Sequence, residues 1–415
     1  MSDHLSAAQP EDAGRVDPVD LIVVGAGILG LAHASLALTQ GQSVIVLDRD
    51  HEAVGASVRN FGHACVTAQS GDLHAIAKAS RRHWLAMAER AGFWAAEAGA
   101  VVIARTRAEL DVLDELSAAR EDGEVALLDA DETARRVGRP HADGILGGAW
   151  LRDDLRVDPR TTVAALAAWI DTQPRGEVRW NTTVFGAGEA DPAGGADPTD
   201  GADREDRADR AGGADLADDA RVVVRTSRGP LRARRAVVCV GHDVDRLWPE
   251  LAAEHRIQRC ALQMARVAPL EATEIAPAVL TATSMLRYPA FTDLPSAQAL
   301  REQVQAARPE LIDIGANVMC TQRPDGSLLI GDSHAYSLTA APFLDERTSQ
   351  ILLDEHRAAL GRDLAVIERW QGIYASSDVA PYLVREVAPG VTVVSVTSGV
   401  GMTLSFGLAE RTLAA

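Results

Sequence analysis

Gly25, Gly27 and Gly30 stand in the spacing G-x-G-x-x-G, and an acid, Asp48, follows further along the chain. Residues of these types in this order can hold a dinucleotide. Gly25 permits a tight turn, Gly27 lets the backbone approach a pyrophosphate, and Gly30 lets a helix pack closely on a strand. Free N–H groups at the helix N-terminus would hold the phosphates. The Asp48 carboxylate would accept hydrogen bonds from a ribose.

That chemistry needs a strand, a helix and a second strand to position it, and all three are legible. Residues 21–24 form a short apolar run, as in a strand buried on both faces. Residues 31–39 carry small and apolar side chains at helical spacing, with Gly41 where a helix C-cap would sit. Residues 43–47 are a second apolar run ended by Asp48. A membrane anchor over residues 21–40 is excluded, because three glycines in six residues make a poor membrane helix and a strand follows at once.

The chain has 415 residues, which implies two domains or one large one. Its formal net charge of −18 argues against a nucleic-acid partner and an anionic membrane surface. Much of that charge is local: residues 187–220 hold 11 acidic and 3 basic side chains, hence −8. This stretch has almost no large apolar side chains and reads as a disordered acidic insertion between two strands of a hairpin or meander. Residues 1–18 read as a polar, disordered lead-in without an export signal, so the expected location is the cytoplasm. Cys65, Cys239, Cys260 and Cys320 are scattered without metal spacing; reduced thiols and no metal are expected.

Further along, residues 55–72 read as a polar loop, and apolar spacing predicts a helix over 72–98, with Arg81, Arg82 and His83 on its solvated face. Strands are expected at 101–104, 147–151, 178–185, 221–226 and 231–240, and a helix at 108–120. Asp158-Pro159 marks a helix start. Residues 246–365 change character: a helix at 296–307, a hairpin over 317–330 turning at Pro324-Asp325-Gly326, and a helix at 346–360. The tail returns to the first style, with a strand at 391–397, a glycine loop at 398–401 and a helix at 402–413.

The order of these pieces resembles the FAD-dependent amine and amino-acid oxidase superfamily that includes D-amino acid oxidase, glycine oxidase and sarcosine oxidase. VGAGILG with LDRD, ASVRNFG, AVVCVGHD and the closing TVVSVTSGVGMTLSFGLAE carry the resemblance, with RPDGSLLIGDSH and RWQGIYA adding to it. It implies an α/β fold, a Rossmann-type FAD-binding domain interwoven with an antiparallel-sheet α+β substrate domain. The FAD-binding parts would be 19–80, 147–245 and 366–415, and the substrate parts 81–146 and 246–365. By position in the motifs, Gly25, Gly27 and Gly30 would approach the pyrophosphate and Asp48 the ribose. Arg49, Ser57, Asn60 and Gly62 would lie along the cofactor, Val184 would meet the adenine and Gly241 would pass close by. Gly399, Gly401, Met402 and Thr403 would run beside the flavin.

His334 matches the residue that faces the flavin from the substrate side in glycine and sarcosine oxidases. Two positions depart from the pattern. Tyr374 stands where glycine oxidase has a carboxylate-clamping arginine, and Thr403 where sarcosine oxidase has a carboxylate-binding lysine. Neither a phenol nor a hydroxyl replaces a bidentate Arg–carboxylate pair, so the anion clamp would fall to Arg287, Arg323 or Arg59. Gly372 occupies the position of the flavin-linking cysteine of some sarcosine oxidases, which implies noncovalent FAD. The combination of blocks looks most like a branch associated with aminophosphonate breakdown. The implied reaction is oxidation of a C–N bond in a small amine, amino acid or aminophosphonate by hydride transfer to flavin N5. An imine would result and hydrolyse to a carbonyl, with dioxygen as the electron acceptor. An NAD(P)-dependent dehydrogenase and a non-catalytic FAD-binding protein are the alternatives that the βαβ unit alone leaves open.

Overall fold

In the computed structural model, residues 19–190, 221–270 and 273–414 are described. The lead-in read at 1–18 and residues 191–220 of the acidic stretch lie outside them. The start of that stretch is corrected: residues 187–189 belong to the strand Val184–Glu189. Its ladder with Val222–Thr226, whose Val222 and Val224 are buried, draws these small residues into a sheet.

The first sheet has five parallel strands at its heart. Val19–Val24 pairs on one side with Val44–Leu47, which pairs in turn with Gly176–Arg179. On its other side lies Gly229–Val238, and beyond that Val391–Val396. Segments from the beginning, middle and end of the chain are therefore neighbours. The fully apolar runs are buried on both faces, as a parallel sheet flanked by helices requires. Ile28–Thr39 covers one face together with Gly401–Ala414.

A nine-stranded sheet forms the second layer, built around the long antiparallel pair Gln258–Val267 and Val366–Ser376. It is antiparallel save for Ala278–Leu280 beside Ala100–Ala104, which run parallel. The strand Gly147–Leu151, grouped in the sequence reading with the FAD-binding parts, pairs here with Ala100–Ala104 and Val125–Leu128. Val366–Ser376, grouped likewise, also belongs to this sheet. The hairpin closes with Met319–Gln322 against Leu328–Gly331, and the helices Ser296–Ala307 and Glu346–Leu360 start and stop where the periodicity predicts.

Two element boundaries differ from the sequence reading. The helix expected over 72–98 is Gly71–Ala91, because Gly92 takes a left-handed conformation (φ 71°) and Ala95–Ala96 joins a small sheet with Leu155–Val157. The strand expected over 178–185 is two strands. Asn181 (φ 50°) turns the chain there, and the N–H groups of Asn181 and Thr182 donate to the carbonyls of Asp50 and Asp48. The face holding Arg81, Arg82 and His83 is only partly solvated. Arg82 is exposed, but Arg81 donates to the Asp153 carbonyl and Glu97, and His83 bonds Glu410 at 2.5 Å.

One buried polar cluster was not announced by spacing. His63, Cys65 and Asp154 bring ligand-type atoms within 4.8 Å of one another. His63 Nε2 lies 2.8 Å from Asp154 Oδ2, and the other oxygen of Asp154 accepts from the Thr67 N–H at 2.7 Å. The cluster braces the small sheet, and the four cysteines are buried and free. Among the described residues no helix is long and apolar enough to cross a membrane.

The C-terminal helix is pinned by the helix Gly71–Ala91. Trp84 is fully buried, packs edge-on against Phe406 at 5.0 Å, and donates its indole N–H to the Met402 carbonyl at 2.8 Å. Gly407 lies so close to the Ile76 carbonyl that a Cβ would stand 2.2 Å from it. Trp84→Ala is expected to cost about 3–5 kcal/mol, read as a lower denaturant midpoint with an unchanged slope.

Candidate active site

Strand ends position the site. Val238 pairs with both Val24 and Val393, so three parallel strands finish side by side. The turn after Val24 has no room for a side chain: Gly25 sits at φ 102°, and a Cβ would stand 2.5 Å from the Cys239 carbonyl oxygen. Gly30 does not line a cavity; its bare Cα lets the helix Ile28–Thr39 ride directly over the Gly25 carbonyl. The strand thus delivers a helix N-terminus to the line where the three strands stop.

A cleft of about 460 Å³ opens along that line. At one end are Gly25, Gly27, Asp48 and Arg49. Asp48 Oδ2 accepts from the Ala26 N–H at 2.7 Å and Oδ1 from the Asp50 N–H at 3.0 Å. Burial raises its carboxyl above the ordinary value against these two donors, which lower it. Arg49 reaches across to Asp243 at 2.7 Å, an acid the sequence reading passed over. Ser57 Oγ accepts from the Ile28 N–H at 2.9 Å, capping the helix from the neighbouring loop.

Asn60 lines the cleft but spends its amide on the loop, donating to the Ala56 and Ser57 carbonyls and accepting from the Gly62 N–H. Val184, Gly241, Gly399, Gly401 and Met402 also line it. A Cβ on Gly241 or Gly401 would meet no protein atom within 4 Å, so both border open space in the cleft. Glycine turns, a helix N-terminus, an acid at the second strand and bare Cα atoms along the wall suit an extended dinucleotide such as FAD.

Gly62 and Thr403 do not line the cleft. Gly62 (φ 69°) presses against the Val157 carbonyl, where a Cβ would stand at 1.9 Å. Thr403 is buried, its hydroxyl accepting from the Cys65 N–H at 3.0 Å. It faces the loop below because the helix Gly401–Ala414 turns it away.

The far end of the cleft is framed by the second sheet and carries Arg287, His334 and Tyr374. Arg287 donates to the Tyr374 hydroxyl at 2.7 Å. His334 gives its Nδ1 proton to the Gly315 carbonyl at 2.7 Å and meets the Tyr374 ring edge-on. Burial, helped by the Arg287 charge, drives its imidazole well below the ordinary value, so the ring is neutral. Gly372 lines the wall here without a side chain. Of the other arginines, Arg59 lines the cleft and donates to the Gln371 carbonyl. Arg323 is held outside it by Asp158 and Asp325, both at 2.9 Å.

Asp332, Tyr288 and Asn317 share this end and were not singled out from sequence. Asp332 lies inside the quoted IGDSH block, two positions before His334, but nothing in its spacing shows that it is buried.

A family model described as FAD dependent oxidoreductase (DAO) matches residues 20–415. Glycine oxidase from Geobacillus kaustophilus superposes with a TM-score of 0.69 at 19% identity, over 96% of this chain and 95% of that one. Iminodiacetate oxidase from Chelativorans sp. BNC1 gives 0.66 at 18%, over 94% and 93%. L-α-glycerophosphate oxidase from Mycoplasma pneumoniae, solved with FAD bound, gives 0.66 at 16%, over 96% and 95%. Among curated protein sequences no match is found.

Removing the Asp48 carboxylate leaves the Ala26 and Asp50 N–H groups without their acceptor. Asp48→Ala is expected to weaken FAD binding about 10- to 100-fold, measured by flavin fluorescence on titrating the stripped protein.

Proposed function

The chain belongs to the DAO family of FAD-dependent oxidoreductases, and on that footing we propose that it oxidises the C–N bond of a small amine bearing an anionic group. Gly25, Asp48, Gly241 and Gly401 would hold FAD noncovalently, and FAD would supply a two-electron acceptor for oxidation at the carbon beside nitrogen. The imine so formed on the substrate hydrolyses to a carbonyl, and dioxygen takes the electrons in the end.

One observation carries the anionic part of this reading. Arg287 places its guanidinium at the substrate end of the cleft, against Gly399 and the Tyr374 hydroxyl. A clamp supplied from this direction answers the loss of the arginine and lysine at Tyr374 and Thr403. A partly buried guanidinium that keeps its charge favours a carboxylate or phosphonate over a neutral group. An aminophosphonate fits as well as an amino acid. The protein's own contribution is orientation and exclusion of water: Tyr288, Leu262 and Phe61 close the apolar side of the same space.

The test is anaerobic bleaching of the bound flavin across uncharged amines, amino acids and aminophosphonates. Anionic amines should bleach it and uncharged ones should not. Arg287→Met should cut the second-order bleaching constant for the anionic amine about 10- to 100-fold, chiefly through Kd. Flavin that no amine bleaches would leave a protein that binds FAD without turning it over.

A further inference from the structure

The substrate end of the cleft is divided by polarity. On one side are donors. Tyr374 Oη accepts from Arg287 Nη2 at 2.7 Å, so the phenol keeps its own proton to give. Both atoms face Gly399, where a Cβ would come within 3.1 Å of Nη2 and 3.0 Å of Oη.

On the other side are acceptors. Asp332 Oδ1 is buried without a hydrogen-bond partner among the described residues, and Oδ2 lies 3.8 Å from His334 Nε2. His334 has committed its Nδ1 proton to the Gly315 carbonyl, so in the neutral ring Nε2 is a bare lone pair. Asp332 and Arg287 line the same cleft and influence each other's charge, yet no direct ion pair joins them among the described residues. A cation with several N–H donors, seated about 2.9 Å from both acceptors, would satisfy what the protein leaves unmatched.

We propose that Asp332, together with His334 Nε2, receives the substrate's ammonium group and takes the proton it must shed, and that the substrate is a zwitterion whose anion lies against Arg287 and the Tyr374 hydroxyl. This deepens the function proposed above and rests on it. In the step an ammonium N–H bond breaks and an O–H bond forms on Asp332. The electron pair stays on nitrogen, so a cation and a carboxylate become a neutral amine and a carboxylic acid. The amine lone pair is then available to the oxidation.

The groups facing Asp332 are Arg287, His334, Tyr288 and Cys260, and only Arg287 is charged near neutrality. Burial pushes the Asp332 carboxyl up to about 7, against the pull of Arg287 and the Asn317 amide. Below that pH the carboxyl already holds a proton and cannot accept another. An anion arriving at Arg287 weakens the guanidinium's pull, so Asp332 takes up a proton when a bare anion binds.

Two measurements on the flavin-loaded protein test this. Methanesulfonate, an anion with no amine and no ionisation of its own near neutrality, is titrated calorimetrically at about pH 7.5 in buffers of different ionisation enthalpy. The wild type should take up a fraction of a proton and Asp332→Asn none. For an amine that bleaches the flavin, the wild-type bleaching constant should fall about tenfold per pH unit below about 7. Asp332→Asn should lose that inflection and be about 100-fold slower at high pH. If Asp332→Asn keeps the wild-type pH profile and proton uptake, the inference is overturned while the proposed function stands. If no amine bleaches the wild type, the proposed function falls, and proton uptake still decides whether Asp332 holds the proton. Should Asp332→Asn fail to retain flavin, absence of uptake by the wild type overturns the inference by itself.

Discussion

The register in which Val238 lies between Val24 and Val393 is the constraint on which the rest depends. Parallel pairing of first, middle and last segments puts three carboxyl ends on one line, and a cleft at such a line is where open α/β sheets take their ligands. It also explains why Gly25 must be glycine, since the Cys239 carbonyl brought alongside leaves no space for a Cβ. The final helix is carried to the same line, and Trp84 and Gly407 fix it there by contacts too close for drift. A slip of one residue in that register would exchange the side chains of the strand between its two packed faces and carry its end off that line.

Charge along the cleft is arranged by burial as much as by residue type. At the turn end, Asp48 is desolvated but braced by two N–H donors, while Arg49 finds its counter-charge in Asp243 across the gap. At the far end, Arg287 rests on a neutral phenol and its nearest carboxyl stops short of it. A guanidinium without a bonded counter-ion keeps most of its field for a ligand. The same field, with desolvation, keeps His334 neutral, and the Gly315 carbonyl, by holding the Nδ1 proton, fixes which of its nitrogens is bare.

Where elements were misplaced from sequence, the reasons are local. The helix begun at Gly71 has apolar spacing that runs past Ala91, but the left-handed turn at Gly92 outweighs it once Ala95–Ala96 has a strand to join. The single strand expected over 178–185 is two strands because Asn181 turns and the chain there bonds to the carbonyls of Asp48 and Asp50. Thr403 sits one position beyond Met402 on the last helix, and that rotation alone moves it from the cleft wall to the buried face against Cys65. Arg323 looked as available as Arg287 until the fold set Asp158 and Asp325 beside it.

By itself the sequence determined the βαβ unit, its glycines and its acid, because apolar period, turn residues and spacing are local properties of the chain. It also determined that a second apolar strand and helix at the far terminus had the style of the first. Only the tertiary structure decided that Asp332, Arg287, His334 and Tyr374 share one space. They lie up to 87 positions apart, and no local pattern records a meeting made by strand pairing across two sheets. Protonation was decided there too, since a carboxyl's charge depends on how much water the surrounding fold takes away.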